Sequence, residues 1–215
     1  MLSETSSDKH FKTNTNWVKH NFFSMTQTIK IPVRALNENV IRELQEKYPE
    51  GEISVELNQD HLKNPLSEKH FWEIIALLDW EKEDDDDAVL EPAVAYLEQG
   101  PVRHIFEFAD ILSEKLYTLD GLAFAKHIGE DAWAADRYFS VDNFLYARCC
   151  VVANGQQAYE AVLKDPSLMP KDLTFEALLY LPSTAYTRKT QAKYEYTPAF
   201  PIETYSNEQA WDVED

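Results

Sequence analysis

The stretch Arg137-Tyr138-Phe139-Ser140-Val141-Asp142-Asn143-Phe144-Leu145-Tyr146-Ala147-Arg148-Cys149-Cys150-Val151-Val152-Ala153-Asn154-Gly155 carries both ends of a helix in its own residues. Ser140 suits the N-cap, and Asp142 puts a negative charge in the first turn, where the helix dipole favours it. Phe144, Ala147, Val151 and Val152 recur at helical spacing, which predicts one apolar face. Asn154-Gly155 supplies residues that tolerate a left-handed C-terminal turn. The stretch is the most specific part of the chain, and it holds no catalytic signature.

Working back toward the N-terminus, residues 129–136 lead into this helix with Trp133 set among acidic residues. Before them comes a long apolar repeat, Val102, Ile105, Phe106, Ala109, Leu112, Leu116 and Leu119, at 3-4 spacing, with Asp120-Gly121 as the break. Val89, Leu90, Ala93, Val94 and Leu97 predict another helix, closed by Gly100-Pro101, with Pro92 placed in its first turn. Ser67 caps a helix carrying Phe71, Ile74, Ile75 and Leu78, flanked by Trp72. Between these two helices lies Glu81-Lys82-Glu83-Asp84-Asp85-Asp86-Asp87. Clustered carboxylates suit a hard cation, yet this run lacks the alternating ligands, central Gly and closing Glu of a calcium loop. It reads as a solvated loop whose last Asp caps the following helix.

Further upstream, Ile29, Ile31 and Val33 alternate, Asn37 caps a helix with Val40, Ile41, Leu44 and Tyr48 on one face, and Ile53, Val55 and Leu57 alternate again. This is strand, helix, strand in about 30 residues, the length of a βαβ unit. Residues 1–24 are polar and aperiodic, and read as a disordered leader or as upstream sequence admitted by an early start codon. Downstream of the central stretch, Gly155 opens a short helix through Tyr159, Val162 and Leu163 that stops at Asp165-Pro166. Asp172 or Thr174 then caps a last helical stretch, 175–181. From Pro182 the chain turns polar, with a short Tyr194/Tyr196 alternation. The expected class is therefore α-dominated (α+β): a bundle of five or six helices over 66–182, a strand-helix-strand element over 25–65, and an irregular acidic tail over 183–215.

Residues ~66–166 resemble an uncharacterised bacterial family, domain of unknown function 4240. The resemblance rests on Phe71-Trp72-x-x-Ile75, on Asp131-Ala132-Trp133, and most strongly on Ser140-x-Asp142-x-Phe144-x-Tyr146-x-Arg148, running on to Gly155, Tyr159 and Asp165-Pro166. Ala147 and Cys150 stand where the family usually carries bulky aromatics. The resemblance implies a mostly helical fold and brings no activity with it.

The 215 residues carry 38 acidic and 20 basic side chains, a formal net charge of -18. Nucleic-acid binding needs a basic face to replace condensed counterions, so that class is set aside. Anionic lipid would also repel such a surface, and no apolar run approaches the ~20 residues that span a bilayer. A basic protein partner would be attracted. With no secretory signal and only two adjacent cysteines, the expected location is the cytoplasm.

No P-loop, dinucleotide fingerprint or nucleophile elbow occurs, and the six histidines form no tight ligand pair, so no metal or cofactor is expected. Cys149 and Cys150 point about 100° apart on a helix and read as small core residues. One polar constellation remains: Asp131, Asp136, Arg137, Asp142, Tyr146 and Arg148, flanked by Trp133. Arg148 is expected to reach a carboxylate off its own helix, such as Asp131 or Asp136. It would either fix helix register as a buried pair or clamp a carboxylate or phosphate ligand, and the structural reading is favoured. The leading function is a non-enzymatic interaction module that neutralises or adapts to a basic partner. The rival is an enzyme or small-ligand binder built around Arg148, Asp142 and Trp133.

Overall fold

The computed structural model describes residues 37–51 and 64–212. The chain divides into two units, Met1–Glu56 and Leu57–Asp215. In the first, the described element is helix α1, Glu38–Lys47, and Asn37 caps it as expected by accepting from the amides of Asn39 and Val40, each at 3.1 Å. The leader and the two strands expected around it fall outside the described residues. No strand occurs among the described residues, and the class is α-dominated.

The second unit is built from α2 (Glu68–Ile75), α3 (Asp86–Gln99), α4 (Val102–Thr118), α5 (Leu122–Ala125), α6 (Val141–Ala153), α7 (Gln156–Lys164), α8 (Leu181–Thr190) and α9 (Glu208–Trp211). Short 3-10 helices at Trp80–Lys82, Pro166–Leu168 and Glu176–Tyr180 link them. Ser67 and Ser140 cap α2 and α6 through bonds from the amides of His70 and Asn143. The break at Asp120-Gly121 stands where the sequence placed it, because α4 stops at Thr118 and α5 starts at Leu122.

Several local expectations are corrected. The acidic run does cap α3, but through Asp85, whose carboxylate accepts from the Ala88 amide at 3.1 Å. Asp86 and Asp87 then occupy the first turn, where the helix dipole rewards negative charge. With α3 starting that early, Pro92 lies in its interior, where one backbone bond is missing. Residues 176–180 form a 3-10 helix capped by Phe175, and neither Asp172 nor Thr174 is the cap. Asp172 instead adopts a positive φ and its side chain accepts from the Glu130 amide at 2.6 Å. Of the Asn154-Gly155 pair, Gly155 alone takes the positive φ, 89°. Helical structure continues through α8 to Thr190, past the edge expected at residue 182.

The largest departure concerns α6. One apolar face was expected, but Phe144 and every residue from Ala147 to Ala153 is buried. Such a helix is the centre of its domain and not an amphipathic cover. α4 and α7 pack against it, as does the 3-10 helix Glu176–Tyr180, while α8 lies across α3 and α4. Phe71, Phe108 and Phe144 are fully buried in one continuous core that runs from Leu66 to Ala185.

Phe144 meets Phe139, Trp211 and the Arg148 guanidinium, all within 6 Å of its ring centre. Its truncation removes a buried aromatic that the surroundings cannot refill. Phe144→Ala is expected to destabilise by ~3–5 kcal/mol in a denaturant titration.

Candidate functional site

The polar centre of the domain starts from a problem at the end of α4. The last carbonyls of a helix have no partner within it, and at this terminus that of Leu116 lies inside the protein. Arg148, projecting from α6 and fully buried, meets that carbonyl. Its Nη1 donates to the Leu116 carbonyl at 2.9 Å, while its Nη2 donates to the Ile202 carbonyl and the Thr204 hydroxyl, each at 3.0 Å. The Tyr159 hydroxyl donates to Lys115 O at 3.4 Å, and the Asn207 side-chain amide to Tyr117 O at 3.2 Å. A cation at a helix C-terminus also meets the negative end of the macrodipole.

The carboxylate nearest Arg148 is Asp120, also fully buried, with Oδ1 3.9 Å from Nη1. That separation is an electrostatic pairing and not a hydrogen bond. Asp120 is satisfied instead by the amides of Tyr205 and Asn207 and by the Trp211 indole, at 3.2, 3.0 and 2.9 Å. Burial lowers the Arg148 pKa, and the neighbouring Asp120 charge works against that shift. The ring of Phe144 lies under the guanidinium at 4.9 Å.

The expected cluster is dispersed. Asp131 and Asp136, the anticipated partners of Arg148, are exposed, as is Asp142. Asp131 accepts from the Asn143 side chain at 3.0 Å. Trp133 is half-buried, bonded through its amide to Ala125 O at 2.9 Å, with the Lys126 ammonium over its ring. Arg137 donates to the Ala132 carbonyl. Tyr146 lies within reach of Glu176 and Asp142, and its hydroxyl pKa is raised first by desolvation, then by Glu176 and by Asp142. Arg148, with its Nη groups bonded to two carbonyls and a hydroxyl of its own chain, is fastened to the fold.

The cysteines are free and buried. Burial pushes Cys149 up to about 12, against the pull of the adjacent Arg148 charge, so the thiol stays protonated near neutrality. Burial also raises Cys150, countered by the Asn154 amide.

Among the described residues, two concavities stand out on the surface. One, of about 290 Å³, is mostly apolar and is lined by Val151, Asn154, Ala158, Val162, Leu168 and Leu173 among others. The other, of about 620 Å³, is acidic: Asp84, Asp85, Asp86 and Asp87 face Glu176 and Tyr180 across it. The Tyr180 hydroxyl donates to Glu176 at 2.6 Å, which raises its pKa. Among the described residues no group of three or more His, Cys, Asp and Glu is arranged to hold a metal ion. Sequence reasoning found the aspartates but not Glu176, Asp120, Ile202 or Thr204. Asp120, Ile202 and Thr204 find their partners tens of residues away, and Glu176 lines the hollow with aspartates equally remote in sequence, so no local pattern marks them.

Arg148→Ala strands the buried Asp120 and uncaps α4, and is expected to destabilise by ~3–5 kcal/mol in chemical denaturation. Arg148→Lys should restore little of that loss, because an ammonium cannot reproduce the planar fork that reaches α4 and residues 202–204 together.

No curated protein and no solved structure compared with this chain matches it. A family of proteins of unknown function does. Its match covers residues 66–188, more than half of the chain and nearly all of the helical body that holds Arg148. Helix α6, with its Ser140 cap, Phe144 and Arg148, thus lies within the span that assigns this chain to its family: it belongs to the proteins of unknown function DUF4240.

Proposed function

We propose that this protein is a non-enzymatic interaction module, acting in the cytoplasm, that takes a basic protein partner on its acidic concavity. The observation that carries the reading is the convergence of Asp84–Asp87 and Glu176 on one open hollow, on a chain of net charge -18. These carboxylates come from separate elements, the approach and first turn of α3 and the Glu176–Tyr180 3-10 helix, so the hollow is a feature of the tertiary fold. Concentrated negative potential in a concavity attracts cationic surfaces and speeds their association. The half-exposed ring of Tyr180 at its rim offers a face for a lysine or arginine head. The commitment of Arg148 to its own chain further supports the interaction reading over an anion clamp. No helix among the described residues is long and apolar enough to cross a membrane.

The test compares the full chain with a variant carrying Asp84→Asn, Asp86→Asn, Asp87→Asn and Glu176→Gln, which leaves the Asp85 cap in place. Immobilised wild type is expected to retain a basic protein from its native host at low ionic strength and to release it as salt rises. With that protein purified, the variant is expected to associate at least about tenfold more slowly. Retention by both chains alike, independent of salt, would refute the proposal.

A further inference from the structure

The mostly apolar concavity of about 290 Å³ takes no part in the role proposed for the acidic hollow, and successive pieces of chain build it. Val151 lines it from α6, Ala158 and Val162 from α7, and Leu168 and Leu173 from the stretch that follows α7. Val151 and Val162 are buried, whereas Leu168 and Leu173 remain 54% and 59% exposed. Two leucines left this far in water are apolar area that a partner gains by covering.

The concavity is a poor site for a polar small molecule. Its volume lies just under the roughly 300–1,000 Å³ of small-molecule pockets. Its one polar lining side chain, Asn154, spends its amide N–H on the Cys150 carbonyl at 2.8 Å, so no convergent set of polar groups would orient such a ligand. A hollow of this kind suits an apolar anchor side chain from a protein partner.

It also borders the acidic hollow. Leu173 lines the one and Glu176 the other, so their Cα atoms are at most about 11 Å apart along the chain. Between them, Phe175 is buried, and its amide donates to the Tyr146 carbonyl at 3.0 Å. The Phe175 ring meets that of Trp80 at 5.1 Å. Trp80 is 43% exposed and opens the 3-10 helix that leads to Asp84–Asp87. Exposed apolar side chains therefore mark the way from Leu168 and Leu173 past Trp80 to Tyr180 at the hollow.

We infer that the apolar concavity and the acidic hollow are two halves of one docking surface, whose occupant is a basic polypeptide segment carrying an aliphatic side chain a few residues from its lysines or arginines. The occupant follows from charge complementarity. On a chain of net charge -18, the carboxylates of Asp84–Asp87 and Glu176 beside the concavity attract cationic segments and repel acidic ones. A small apolar ligand would gain nothing from those carboxylates, and a second copy of this chain would bring its own negative charge. The inference rests on the reading of the hollow under Proposed function and adds an anchor to it. The carboxylates govern how fast the partner arrives, and the buried aliphatic side chain governs how long it stays.

Fluorescent synthetic peptides test it by anisotropy on the full chain at low ionic strength. Each peptide has four lysines, then one to four glycines, then either leucine or alanine. At one spacing or more, wild type is expected to bind the leucine peptide at least about tenfold more tightly than its alanine counterpart. Ala158→Phe, which fills the concavity, is expected to erase that advantage and leave the alanine peptides bound as before. Leu173→Ser, at an exposed position, should reduce the advantage in the same way and keeps the test open if the larger side chain disturbs folding. Equal binding of leucine and alanine peptides at every spacing would overturn the inference, as would a leucine advantage that the folded variants retain in full. The alanine peptides score the hollow separately. If they bind wild type and the variant with Asp84→Asn, Asp86→Asn, Asp87→Asn and Glu176→Gln alike, the reading of the hollow fails, whatever leucine adds.

Discussion

A guanidinium removed wholly from water keeps its charge only where its donors are met and a counter-charge is near. Arg148 meets most of that demand from several directions at once, through Leu116 at the end of α4, through Ile202 and Thr204 of the C-terminal segment, and through the field of Asp120, while its Nε has no hydrogen-bond partner among the described residues. Because one planar group joins elements far apart in sequence, it fixes their relative positions more narrowly than apolar contacts can. Apolar packing tolerates sliding, and a three-way hydrogen-bonded fork does not. The burial of α6 on nearly all sides follows from the same arrangement. Arg148 lies inside the domain, so from Ala147 to Ala153 the helix has no face that must reach water, and its exposed charge, Asp142, is confined to the first turn.

The same constraint shapes how the surface can work. With Arg148 engaged internally, a strong cation is withheld from the exterior, and the exposed carboxylates of Asp131, Asp136 and Asp142 have no contact with it. Asp84–Asp87 and Glu176 line one concavity of this acidic chain. Asp85 serves as a cap and Asp86 and Asp87 as first-turn charges, so local helix physics accounts for much of that charge. Glu176 is not required by α3. Its arrival from another element makes the hollow a candidate for recognition.

What could be read in the sequence was what local physics controls. Ser67, Asn37 and Ser140 were legible as caps because a hydroxyl or amide before a periodic run has few other uses. The apolar repeats of α2, α3 and α4 were legible from their spacing. α6 was recognised as a helix but not as the central one, because Arg148, Tyr146 and Asp142 interrupt its pattern and suggest a wet face. The position of Pro92 was misjudged because four consecutive aspartates offer four possible caps. Arg148 was identified as a residue seeking a partner, but its acceptors could not be named. Leu116 and Ile202 contribute backbone carbonyls, which are chemically identical at every residue, and Asp120 looked like part of a turn. The segment after Thr190 carries little periodicity, since polar backbone contacts and scattered aromatics, not a repeating apolar face, hold it in place.

The central claim is that Arg148 and Asp120 form one buried electrostatic unit that joins α4, α6 and the C-terminal segment. A double-mutant cycle on folding stability, using Arg148→Met, Asp120→Asn and the double variant, tests it most directly. If the two act as a unit, each single change leaves the other group uncompensated, and the double variant is less destabilised than the sum of the singles by at least about 1 kcal/mol. Additivity within about 0.5 kcal/mol would contradict the account, showing that the two buried charges hold the fold independently.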